Sequence, residues 1–277
     1  DEHIGGRMDE RLGQQLGNYR LLRFIGQGGF ADVYLGEHLY LSTQAAIKVL
    51  QTRLGPEDLH AFQIEARTIA HLRHPNIIRV LEFGEEHNSP YLVMDFAPNG
   101  TLRQRHPKGA RLSLNECISY IRPIASALQY AHNNKIVHRD IKPENMLIGQ
   151  NGEIVLSDFG IAIVSQSSRY HGKQEVGGTV AYMAPEQLNG KAVAASDQYA
   201  LGIVLYEWLS GSVPFTGSFT EICSQHLFTP PPPLRQMAPY LSPDCEKVVL
   251  QALRKRPEER FPTISAFVEA LEATAQG

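Results

Sequence analysis

Polar and apolar positions change their rhythm along this chain, and each rhythm predicts a different element. Tyr19–Ile25 reads as a strand. Ala45–Leu50 alternates with period two, which puts Ala46, Lys48 and Leu50 on one strand face. Between Pro56 and Leu72 the apolar residues Leu59, Phe62, Ala66 and Ile69 form a helical stripe. Pro56 suits the first turn, and Glu57 and Asp58 suit the positive end of the helix dipole. Glu65 falls on the apolar side of that helix. His74-Pro75-Asn76 breaks the pattern, and Ile77–Phe83 with Tyr91–Asp95 predicts a strand pair. Ala97-Pro98-Asn99-Gly100 is a turn cluster and marks a domain boundary. Beyond it, Leu114, Ile118, Ile121, Ala125 and Leu128 predict a helix over Leu114–Asn134, opened by a capping box at Ser113-x-x-Glu116. Pro123 lies inside this helix, at a cost of roughly 3 kcal/mol, and predicts a kink. Ser196–Leu209 is apolar nearly all round, as in a helix buried at the centre of a lobe. Ser242-Pro243 and Thr263 read as the starts of the last two helices. Residues 1–17 carry glycines and mixed charge without periodicity and read as a flexible leader. The expected organisation is therefore leader 1–17, first lobe 18–97 and second lobe 98–277.

Composition narrows the function classes. With 277 residues there is room for two lobes, and 43% hydrophobic with 20% charged residues describes a water-exposed globular fold. A net charge of −3 argues against nucleic-acid binding driven by overall charge. No apolar run approaches the ~18–20 residues that span a bilayer, and the polar start Asp1-Glu2-His3 shows no signal peptide. Cys117, Cys223 and Cys245 stand far apart, as inert thiols do in a reducing cytosol, so the expected location is cytoplasmic. The chain reads as one domain of a longer protein, which can carry a membrane tether elsewhere.

Candidate chemistry sits in a few short stretches. Lys48, on an apolar strand face, needs an anionic partner, and Glu65, on the apolar face of the next helix, is the obvious one. Gly26-Gln27-Gly28-Gly29-Phe30-Ala31 fits a dinucleotide fingerprint or a plain glycine-rich hairpin. The fingerprint demands a helix next, yet Ala31–Gly36 has strand-type residues. The densest stretch is His138-Arg139-Asp140-Ile141-Lys142-Pro143-Glu144-Asn145, followed by Asp158-Phe159-Gly160. It gathers a carboxylate, a lysine, an amide and a second carboxylate, the groups that phosphoryl transfer requires. Asn151-Gly152 between apolar runs predicts a type I′ hairpin joining the two parts.

Together these stretches resemble the catalytic core of eukaryotic-type Ser/Thr protein kinases, over about residues 18–272. The resemblance implies an α+β, bilobal protein-kinase-like fold, with a small β-rich first lobe holding one main helix and a larger, mostly helical second lobe. It implies Mg2+ and ATP as cofactors and Ser/Thr hydroxyls of proteins, the chain itself included, as acceptors. Asp140 would be the catalytic base, Lys142 the cation on the γ-phosphate, and Thr179 a hydroxyl bridging the two. Lys48, paired with Glu65, would hold the α- and β-phosphates. Asn145 and Asp158 would hold Mg2+. Ile25, Gly26, Gly28, Val33, Ala46, Met94, Asp95, Ala97 and Leu147 would line the nucleotide. Lys142, and Gly178-Thr179 ahead of Ala184-Pro185-Glu186, resemble the Ser/Thr branch. A sparse activation segment and this glycine loop are similar to bacterial eukaryotic-like kinases, which often pair through the first lobe, so the resemblance allows a homodimer there.

Two positions depart from the family pattern. Ala31 stands where Gly is preferred, and its Cβ stiffens the flap. Glu175, not Ser or Thr, stands four residues before Thr179. Either Glu175 pairs with Arg139 in place of a phosphate, or Ser165, Ser167 or Ser168 is phosphorylated. Asp197 would cap its helix or anchor the catalytic loop, and Glu186 would pair with Arg260. Pro230–Pro233 reads as a rigid connector or a polyproline ligand for an SH3-like partner. The competing function classes are a pseudokinase, binding nucleotide without turnover, and a Rossmann-type dehydrogenase.

Overall fold

A computed structural model describes residues 11–27, 31–51, 56–86, 89–159 and 179–275. The described residues divide into two compact units, one built mainly from those within 11–73 and 78–98, the other mainly from those within 99–159 and 179–275 with 74–77.

The first unit is an antiparallel sheet in the order β1-β2-β3-β4-β6-β5. Its strands are β1 Gln15–Leu16, β2 Tyr19–Gln27, β3 Ala31–His38, β4 Gln44–Leu50, β5 Val80–Glu86 and β6 Ser89–Asp95. Leu16, Tyr19, Leu21, Tyr34, Ala45, Ile47, Val49, Tyr91 and Val93 form its core cluster. Helix α1, Pro56–Ala70, packs its Phe62 ring 5.7 Å from Phe83 of β5. The leader is shorter than the sequence suggests. Leu16 is buried, Gln15 pairs with Arg20, and Gly13 N–H reaches Leu21 O, so residues 11–17 extend the sheet. The second strand of the predicted pair ends at Asp95 as expected but begins earlier, at Ser89, and the first begins at Val80 rather than Ile77. Ile77 instead bridges Leu156 in the other unit's own framework. Because β3 follows the glycines and pairs antiparallel with β2, the dinucleotide fingerprint has no helix to open.

The second unit is helical: α2 Leu102–Arg105, α3 Leu114–Asn133, α4 Pro185–Leu188, α5 Ala194–Ser210, α6 Phe219–Phe228, α7 Leu234–Met237, α8 Pro243–Ala252 and α9 Ile264–Ala273. A two-stranded ribbon, β7 Met146–Ile148 and β8 Ile154–Leu156, lies beside them. All residues from Ser196 to Ser210 of α5 are buried, as the unbroken apolar run predicts. Gly211, at φ +87°, ends this helix in the left-handed conformation that glycine adopts freely. Helix α3 is continuous across Pro123, and Ser113 caps it by accepting from Glu116 N–H.

The β7–β8 turn corrects the predicted type. A type I′ turn needs positive φ at both central residues, and here only Gly152, at +83°, has it. Gly152 N–H bonds Gly149 O and Gly149 N–H bonds Glu153 O. The turn is thus centred on Gln150 and Asn151, with Gly152 taking the left-handed position that follows.

Candidate active site

The stretch from His138 to Lys142 crosses the second unit as a loop that runs into a single 3-10 turn at Pro143–Asn145, and a loop in a protein interior must place each backbone group. Asp197, in the first turn of α5, does much of this. Its carboxylate accepts from His138 N–H and Arg139 N–H, both at 2.9 Å, and from His132 Nε2 at 2.7 Å. Asp197 therefore anchors the loop, the second of the two roles its sequence position allows. His138 is fully buried. Its Nε2 donates to Ser157 O at 2.8 Å and its Nδ1 accepts Asp140 N–H at 3.2 Å. Burial lowers its pKa, against the pull of Asp197 and Asp140, and the Nδ1 contact requires the neutral ring. The Phe159 ring lies 4.4 Å from it, and Ser157 N–H bonds Asn145 O at 2.9 Å. The two chemical loops are thereby laced to one another. Arg139 and Asp158 sit at φ +71° and +65°, a strained region for such residues, held by these contacts.

Two predicted residues, Lys142 and Asn145, meet Asp140 directly, and a third, Thr179, joins through Lys142. Lys142 Nζ lies 2.9 Å from Asp140 Oδ2 and donates to Thr179 Oγ1 at 2.9 Å. The lysine, not the threonine, is thus the middle member. Asn145 Nδ2 donates to Asp140 O at 2.7 Å and to Asp140 Oδ2 at 2.9 Å. That leaves Asn145 Oδ1 as the oxygen available to a cation, so its donor chemistry fits a hard-metal ligand. Asp158 supplies a carboxylate at the end of β8's following segment. Asp140 and Lys142 are partly exposed, at 24% and 19% of their side chains. Leu147 is on β7, half-buried and bridged to Thr101.

In the first unit, register explains which residues are neighbours. Ala46 pairs directly with Met94, and Lys48 with Val33 and Leu92. Ala45, Ile47 and Val49 face the core, so Lys48 and Ala46 share the half-buried opposite face rather than a fully apolar one. Glu65 is also half-buried on α1. Gly26 pairs with Val33, and a bulge between Phe24 and Gly26 takes up Ile25. Asp95 ends β6, its carboxylate held by Arg79 at 2.7 Å, and Ala97 follows in the turn. Ala31 is buried opposite Leu50. Gly28, Gly160, Glu175, Ser165, Ser167 and Ser168 lie outside the described residues.

Several contributors have no sequence signal. Arg103 donates to Glu144 at 2.9 Å, to Glu207 at 2.8 and 3.0 Å, and to Tyr182 Oη at 2.5 Å. Burial opposes its charge, but the Glu207 bond and its neighbours push its pKa up. This ties the loop bearing Asn145 to α5 and to the turn after Thr179. Gln187, on α4, donates to Arg139 O at 2.6 Å. The predicted Glu186–Arg260 pair is present as a fork of 2.7 and 2.8 Å, with the Arg260 side chain shut off from solvent. Burial would raise the Glu186 pKa, but Arg260 and Ser196 hold it low. Cys117 and Cys245 are buried free thiols with raised pKa, which suits the inert role expected of them.

The family described as "Protein kinase domain" matches residues 19–271. The Serine/threonine-protein kinase PrkC of Bacillus subtilis is 39% identical over 251 residues, covering 89% of this chain and 39% of that protein. Serine/threonine-protein kinase Pkn1 of Myxococcus xanthus is 37% identical over 277 residues, 95% of this chain and 39% of its own length. Serine/threonine-protein kinase PknA of Mycobacterium tuberculosis is 37% identical over 280 residues, 98% of this chain and 64% of its own. The chain thus spans about two fifths to under two thirds of these relatives. No helix among the described residues is long and apolar enough to cross a membrane.

Proposed function

The chain belongs to the protein kinase domain family, and we propose that it transfers the γ-phosphate of ATP, with Mg2+, to Ser or Thr hydroxyls of proteins, including its own. The observation that supports this most is the contact of Lys142 and Asn145 with Asp140, with Thr179 holding Lys142 from its other side. Asp140 accepts the proton of the incoming hydroxyl and orients its oxygen. Lys142, already beside that carboxylate, meets the charge on the transferring phosphate. Thr179 keeps the lysine aimed. Asn145 and Asp158 hold Mg2+, which when bound neutralises phosphate charge. Lys48, oriented by Glu65, takes the α- and β-phosphates, and Ile25, Gly26, Val33, Ala46, Met94, Asp95 and Ala97 contact the nucleotide. Positioning and electrostatics, rather than covalent chemistry, lower the barrier. The acceptor is a protein, as the names of its relatives suggest, and self-association through the sheet unit belongs to the same reading.

The test is incubation with Mg2+ and labelled ATP beside Asp140→Asn, with phosphosites mapped by mass spectrometry. Label in the wild type alone is expected, with sites among Ser165, Ser167, Ser168 and Thr179. ATP binding without label in either protein would instead identify a non-transferring nucleotide module. If Glu175→Ala leaves the rate unchanged, Glu175 does not stand in for a phosphate at Arg139.

A further inference from the structure

The peptide joining Arg139 to the candidate base is held at both ends. Its carbonyl, on Arg139, accepts from Gln187 Nε2 at 2.6 Å. Its N–H, on Asp140, donates to His138 Nδ1 at 3.2 Å. A peptide unit is rigid and planar, so these two bonds fix its rotation and with it the direction in which Asp140 leaves the chain. The fixing has work to do. Arg139 sits at φ +71°, a conformation an arginine leaves when it is free to. Its own N–H is already taken by Asp197 Oδ1 at 2.9 Å.

Gln187 is well placed to hold this peptide. It is buried on α4, and its N–H bonds Ala184 O. The residue before it, Glu186, is clamped by Arg260 and by Ser196 Oγ at 2.7 Å. The backbone that carries Gln187 is therefore held in place. The same stretch of chain reaches the loop a second time, where Thr179 accepts from Lys142.

We propose that Gln187 is a positioning residue for phosphoryl transfer, which pins the Arg139–Asp140 peptide and so couples the placement of α4 to the aim of the Asp140 carboxylate. This rests on the reading of Asp140 as the base. Gln187 touches neither nucleotide nor acceptor. It acts through one carbonyl in a part-buried bond, and losing that donor removes one of the two bonds that hold the strained peptide.

The experiment uses the whole chain with Mg-ATP and a degenerate Ser/Thr peptide mixture as acceptor. Initial rates, ATP affinity and thermal midpoint are measured for the wild type, Asp140→Asn, Gln187→Met and Gln187→Glu. Gln187→Met keeps the volume and removes the donor. Its kcat is expected to fall about tenfold or more, with KM for ATP within about twofold and ATP binding kept. Gln187→Glu separates positioning from packing. At about pH 8 its carboxylate opposes the Arg139 carbonyl and the loss is at least as large. Near pH 6 the buried acid takes up a proton, regains an O–H donor, and its rate relative to wild type climbs. Gln187→Met with unchanged kcat, a loss that only tracks the folded fraction, or a pH-independent Gln187→Glu ratio would each overturn the role of Gln187 while leaving Asp140 standing. Equal rates for wild type and Asp140→Asn would overturn both.

Discussion

At Arg260 the guanidinium is out of contact with water, and it donates to both oxygens of Glu186 as well as to Ala195 O, Arg254 O and Lys255 O. Removing one partner of such a pair strands the other charge. Arg260→Met is expected to lower unfolding free energy by roughly 3–5 kcal/mol in urea melts. Arg260→Met with Glu186→Leu should return part of that loss, since the stranded carboxylate is gone while the carbonyls stay unpaired. Thr179 has a narrower duty. Thr179→Val removes the acceptor of Lys142 Nζ and should cut the transfer rate about tenfold or more, whereas Thr179→Ser keeps most of it. The residues that sequence reveals at this scale are those crowded into one short stretch. Asp140, Lys142 and Asn145 lie within six positions, and their combination has few other uses. Gln187 stands 48 residues from its partner Arg139, and Arg103 stands 41 from Glu144. An amide or an arginine at such a distance carries no spacing signal, because only the folded chain brings it to its partner.

Among the elements, β3 leaves least freedom. A Cβ on Gly36 would collide with Ile47 Cδ1 and lie 3.1 Å from Ile47 Cγ1, and Ile47 is fully buried beside Tyr34 and Val93. Gly36→Ala is expected to destabilise by about 1–3 kcal/mol through overpacking, measured by chemical denaturation, and Ile47→Val in the same chain should relieve part of it. Long elements with one strong pattern were legible from sequence. The stripe of α1, the capped helix α3 and the all-apolar α5 each carry many residues that agree. Short elements were not. The pair Gln15–Leu16 is too brief to show a period, and only its pairing with β2 makes it a strand. The turn between β7 and β8 shows a different limit. Asn-Gly favours positive φ at both positions, but the pairing of Ile148 with Ile154 leaves five residues to place, and a turn displaced by one residue closes that gap.

For the molecule as a whole, buried imidazoles set a lower pH bound. Burial lowers the pKa of His138, His74 and His106, and that of His226 to about 4, where Lys255 adds to the effect. The unfolded chain takes up protons below about pH 6.5 that the folded chain refuses, so stability is full above that value and falls as pH drops through it. From His226 alone the loss between about pH 6.5 and 4 is roughly 3 kcal/mol, and His226→Gln should flatten the pH dependence of the urea midpoint. The protein kinase family and its two-unit plan were legible because their motifs are dense. Asp197 receives the amides of His138 and Arg139 while itself lying 1% exposed at the head of the buried helix α5. Those two amide hydrogens can trade with deuterium only when α5 comes out of its core. In a loop they should exchange as slowly as the helix centre at Leu205, so that the part of the chain closest to the chemistry is timed by the slowest opening of the second unit.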